Sequence, residues 1–104
     1  ILLGFVFSFN VNSMYLEIVS PEASLVAGEI ESITLPGMDG EFQMMNNHAA
    51  IVSLLCEGKV KFAGSPTIAP GYENKFTQQD GKWVLEISGG TVEMNNNKVI
   101  VLAD

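Results

Sequence analysis

Arginine is absent from this chain, and only five lysines stand against twelve acidic residues. Proteins that grip nucleic acid neutralise phosphates with a basic patch, so a net charge of −7 argues against that class of partner. The same imbalance disfavours adsorption to anionic lipid. Cysteine is nearly missing too. Cys56 alone cannot close an internal disulfide, and within the apolar run 51–56 it reads as a small buried hydrophobe. No metal-ligand spacing occurs. His48 is the only histidine, and no nucleophile motif surrounds Ser53 or Cys56, so acid–base or covalent catalysis has little to work with. Long apolar runs are missing as well. The apolar part of residues 1–13 falls far below the ~20 residues that a membrane span needs. That stretch also lacks the basic start and small-residue cleavage site of a signal peptide. It reads either as upstream sequence ahead of an initiating Met14 or as an extra edge strand in which Phe5, Phe7 and Phe9 alternate. Helical periodicity is the last absence: no window of ten or more residues carries a 3.6-residue repeat.

What is present fits a single folded domain of 104 residues, 47% hydrophobic and 16% charged. Short β-prone runs alternate with turn signals. Residues 14–19 form one run, ended by Ser20-Pro21, and 29–35 form another, closed by Pro36-Gly37. Lys59-Val60-Lys61-Phe62 alternates, placing Val60 and Phe62 on one face. Trp83, Leu85 and Ile87 likewise share a face, just after the hairpin turn signal Asp80-Gly81. Residues 91–94 and 98–102 make a final hairpin across Asn95-Asn96-Asn97, because asparagine tolerates the left-handed conformation. Residues 64–74 read as a surface loop. The expected fold is all-β: a small β-sandwich or flattened barrel of about eight to ten short antiparallel strands, spanning residues 14–104.

The glycine-rich pieces, Pro36-Gly37-Met38-Asp39-Gly40 and Ser88-Gly89-Gly90, match no phosphate-binding loop and precede no helix. They read as turns or as close approaches of two backbones. Met44-Met45 carries more information. Neighbours in a strand point to opposite faces, so one methionine should leave the core, beside the polar Asn46-Asn47-His48. An outward methionine suits a protein-contact surface. A second reading is a free-standing module for a small polar ligand such as a carbohydrate, with Trp83 and Tyr72 as stacking platforms, although Trp83 lies on an alternating, core-like face.

Several segments, in order, resemble the epsilon subunit of F-type ATP synthases. Met14-Tyr15-Leu16-Glu17-Ile18-Val19-Ser20-Pro21-Glu22 is similar to that family's first strand, and residues 28–35 to its next. The stretch 40–52, with Gly40-Glu41 and His48-Ala49, resembles its Gly-Glu-x-Gly, apolar pair and Pro-Gly-His-Ala-Pro. Asn46-Asn47, Gln43 and Ala50 depart from that pattern, which implies a differently shaped loop. Ile87-Ser88-Gly89-Gly90-Thr91-Val92-Glu93 resembles the Ser-Gly-Gly strand junction, and Val101-Leu102-Ala103-Asp104 the close of the sandwich domain. Residues 63–79 exceed the usual hairpin there. The helical hairpin that follows in the family has no counterpart, so neither its inhibitory role nor its ATP binding is expected of these residues.

The resemblance implies a non-catalytic central-stalk subunit that couples rotation of the proton-driven c-ring to the gamma subunit and the catalytic head. It implies gamma and the c-ring as partners, no cofactor, and a place at the cytoplasmic face of a bacterial membrane. It further implies Glu41, Met44, Met45 and His48 as partner contacts.

Overall fold

The computed structural model describes residues 13–104. The leader expected over 1–13 therefore lies, except for Ser13, outside the described residues. Ten strands follow in order: β1 (Met14–Val19), β2 (Ser24–Gly37), β3 (Gly40–Met45), β4 (Ile51–Leu55), β5 (Gly58–Gly64), β6 (Thr67–Ile68), β7 (Phe76–Gln79), β8 (Lys82–Ile87), β9 (Gly90–Asn95) and β10 (Lys98–Ala103). A single 3₁₀ turn, Glu73–Lys75, precedes β7.

Strand β2 organises the molecule. Its 14 residues reach about 46 Å at ~3.3 Å per residue, too long to match neighbours of five to seven residues in one layer. It therefore serves two layers. Its first half pairs with β1, from Met14↔Ile30 to Ile18↔Val26, and with β6. Its second half pairs with β3 on one side and β5 on the other. The register slips between Ile30 and Ser32, and such a bulge bends a strand where it passes from one layer to the next. One layer thus holds β4, β9, β10, β1 and the first half of β2. The other holds β3, the second half of β2, β5, β8 and β7. The single pair Gly37↔Leu55 joins β4 to β2 and draws the layers together on that side.

The core lies between the layers. Met14, Leu16 and Ile18 of β1 point inward with Val99 and Val101 of β10 and Val92 and Met94 of β9. From the other layer come Ile33 and Leu35, Val60 and Phe62, and Leu85. Burying each such side chain stabilises the fold by about 1.5–3 kcal/mol, so this set dominates the energetics. Phe76 stacks edge-on against both Phe62 and Trp83, at centroid distances of 6.2 and 6.4 Å.

The all-β expectation holds, with three corrections. First, β1 pairs with β10 in parallel, Tyr15↔Lys98 to Val19↔Leu102, so not every pairing is antiparallel. Second, β2 begins at Ser24 and runs on through Pro36-Gly37, with the reversal falling at Met38-Asp39 instead. In extended chain a residue's N–H and C=O point to the same side. The Pro36 carbonyl turns away from β3 to accept the Cys56 N–H at 2.9 Å, so the missing proline N–H takes no bond from the β2–β3 ladder. Third, the loop 64–74 contains β6, which pairs with Val26 and Ala27.

Candidate functional site

Glu41, Met44 and Met45 all stand on β3, and the two-residue period separates them. Glu41 and Met45 point outward, with Met45 53% exposed. Met44 points the other way and is 0% exposed. A side chain with no exposed surface cannot touch a partner, so Met44 leaves the expected contact set and belongs to the core. The outward Glu41 is already engaged: its Oε2 lies 3.7 Å from Lys61 Nζ on β5. An ion pair this exposed is worth about 0–1 kcal/mol, so a partner's cation can displace Lys61 at little cost. Four strand steps separate Glu41 from Met45, on the order of 13 Å, and His48 lies beyond that in the β3–β4 loop. The expected residues therefore form a line along one outward strand face and its loop rather than a cluster.

The loop is held by its backbone. The His48 N–H donates to the Met45 carbonyl at 3.3 Å, with Asn47 in the left-handed region at φ 65°. The Asn47 N–H donates to Asn97 Oδ1 in the β9–β10 turn at 2.6 Å. His48 is exposed, and its Nδ1–H donates to the Ala49 carbonyl at 2.8 Å.

A second surface went unseen in the sequence pattern. Val52 and Leu54 of β4 are 74% and 62% exposed, and Leu102 of β10 is 51% exposed. The ladders align them: Leu54↔Thr91↔Leu102 makes one outward row, and Val52↔Glu93↔Ile100 makes the next. Glu93 and Glu17 flank Ile100 as its cross-strand neighbours on β9 and β1. Leu54 and Leu102 also line an open notch of ≈ 490 Å³ with Met38, Gly90 and Asp104. The result is an apolar strip along β4 and β10 with Thr91 and Glu93 of β9 set between them. A signal for it existed in Ile51-Val52-Ser53-Leu54-Leu55 and Val99-Ile100-Val101-Leu102. In a two-layer sandwich an unbroken apolar run must turn alternate residues away from the core, as Met44-Met45 does.

With this geometry in view, the comparisons are decisive about the family. The family model described as ATP synthase, Delta/Epsilon chain, beta-sandwich domain matches residues 13–104. The chain belongs to that family. An ATP synthase epsilon chain from Campylobacter concisus is 32% identical over 94 residues, which are 90% of this chain and 63% of that one. One from Chlorobium limicola is 34% identical over 89 residues, 86% of each. The chain thus spans about 63% of the length of the Campylobacter relative and 86% of the Chlorobium one. The fold recurs in a mitochondrial ATP synthase of Euglena gracilis, at TM-score 0.66 and 18% identity over 93% of this chain and 53% of that one.

Within this delta/epsilon sandwich the remaining candidates take structural places. Trp83 is half-buried against Phe76, and Tyr72 packs against the core beneath Lys75, whose Nζ lies 5.9 Å from the ring centroid. Both rings are thus engaged by the protein's own side chains. Cys56 is half-buried, its Sγ 3.4 Å from the Gly37 carbonyl and 3.5 Å from that of Pro36. Among the described residues no three His, Cys, Asp or Glu side chains are grouped to hold a metal, and no helix is long and apolar enough to cross a membrane.

Proposed function

We propose that this chain is a non-catalytic central-stalk subunit of a proton-translocating F-type ATP synthase, coupling rotation of the c-ring to gamma and the catalytic head. The observation that carries the reading is the apolar strip Val52, Leu54 and Leu102 on a domain of the delta/epsilon family. A lone soluble domain gains nothing by exposing three large aliphatic side chains on one face, whereas a stalk component must offer interface area. The strip takes gamma. The outward edge of β3 and its loop, with Glu41, Met45 and His48, take the polar loops of the c-ring, where Glu41 meets a lysine or arginine. Stiffness supports the same role, since a torque coupler needs a braced body and β2 runs through both layers. The site is at the cytoplasmic face of a bacterial membrane, and assembly rather than a reaction at this chain is its work.

Purification with the partners tests the reading. Tagged chain should retain gamma on a column and co-elute with a gamma–c-ring complex in detergent. A chain that elutes alone in the presence of both would overturn it. Glu41→Ala should weaken retention of the c-ring about two- to fivefold and leave gamma binding unchanged. Equal weakening of both would break the assignment of β3 to the ring.

A further inference from the structure

We propose that Asn97 is a positioning residue for the β3–β4 loop, setting how Met45 and His48 are presented to their partner. The proposal rests on the reading above that this loop meets the c-ring.

Asn97 sits where three segments converge. It is the second residue of the β9–β10 turn, with φ 60° beside Asn96 at 52°. Its carbonyl accepts the Tyr15 N–H at 2.9 Å, which ties the turn to the start of β1. Lys98 Nζ, 5.8 Å from the Tyr15 ring centroid, reinforces that tie. The Asn97 side chain therefore stands on a fixed mount, and from it Oδ1 accepts the Asn47 N–H across 50 residues of sequence. The mount matters because it ties the loop to a separate element of the fold. Residues 46–50 belong to no strand, and their bonds include the His48 N–H to the Met45 carbonyl and the local Nδ1 contact of His48. The bond from Asn97 holds the left-handed Asn47, and with it the direction in which the chain leaves Met45 for His48.

Position 97 makes two demands: a tolerated positive φ and a hydrogen-bond acceptor one carbon out. Asparagine and aspartate meet both, while glycine meets only the first. Asn97→Gly thus keeps the hairpin and deletes the acceptor alone, and Asn97→Asp restores it. The readouts are amide exchange of the full chain by NMR and affinity for purified c-ring in detergent with gamma bound. Asn97→Gly should speed exchange of the Asn47 amide and lower c-ring affinity, each about five- to tenfold, the worth of one such bond. Exchange in the β7–β8 hairpin should not change, and Asn97→Asp should restore both readouts. An unchanged Asn47 amide, or faster exchange with unchanged c-ring affinity, would overturn the positioning role. Met45→Asp separates that failure from failure of the underlying reading. If Met45→Asp binds the ring as the parent does, the loop does not face the ring; if it weakens binding while Asn97→Gly does not, only the positioning role falls.

Discussion

Two adjacent methionines with the same chemistry have opposite places, and the difference is measurable. Met44 fills the core and Met45 faces out. Met44→Ala should cost about 2–5 kcal/mol, since it loses transfer energy and leaves a cavity. Met45→Ala should stay within about 0.5 kcal/mol, as exposed substitutions do. Urea unfolding of both variants checks this, and equal midpoints would mean that the strand face is misassigned. Glycines give a second contrast. Gly90 has φ 151° and pairs with Leu55 on one side and Ala103 on the other. A β-carbon there would run into the Leu102 carbonyl oxygen. Gly71 has φ 90° but open space around its Cα. Gly71→Ala should cost about 1 kcal/mol through backbone strain alone. Gly90→Ala adds a backbone collision and should cost roughly 3 kcal/mol or more, seen as a much lower thermal midpoint.

Among the elements, the ladders rank local stability. β1, β9 and β10 each have partners on both edges, while β3 and β7 are paired on one edge and β6 has two residues. Opening an amide in the first group requires breaking two neighbours, so hydrogen exchange should be slowest there and fastest in β6 and β3. Protection in β6 equal to that in β10 would contradict the ladder. The turns were the most legible elements in the sequence, because a left-handed residue demands a particular chemistry. Asp80-Gly81 and Asn96-Asn97 all have positive φ. The parallel β1–β10 pair was not legible, since local patterns encode hairpins and this pair joins the two ends of the domain. The length of β2 was hidden by Pro36-Gly37, a dipeptide that reads as a turn unless it is known that the proline's bonding side faces away from β3. The site followed the same rule. The period of two read correctly that one of Met44-Met45 leaves the core, but it could not say which.

For the molecule as a whole, charge and apolar area meet on one outward face, and under the proposed role this sets how it should meet gamma. The chain carries a net −7, and two of its carboxylates lie on that face: Glu93 between Val52 and Ile100, and Glu17 beside Ile100. Apolar area supplies affinity, whereas adjacent charge chiefly steers encounter and selects partners. Leu54→Gln with Leu102→Gln removes apolar area without adding charge. Each leucine buried in an interface is worth about 1.5–3 kcal/mol, so affinity for gamma should fall at least a hundredfold while unfolding of the free chain changes little. Glu17→Gln with Glu93→Gln should instead slow association and flatten its dependence on salt, because screening acts on charge and not on the strip. Lys59→Gln, on the opposite layer, serves as the control and should change neither. Surface plasmon resonance against immobilised gamma at two salt concentrations separates the cases. If the leucine pair binds like the parent while Lys59→Gln weakens binding, the layer of β3, β5, β8 and β7 is the stalk-facing side and the strip must serve another contact.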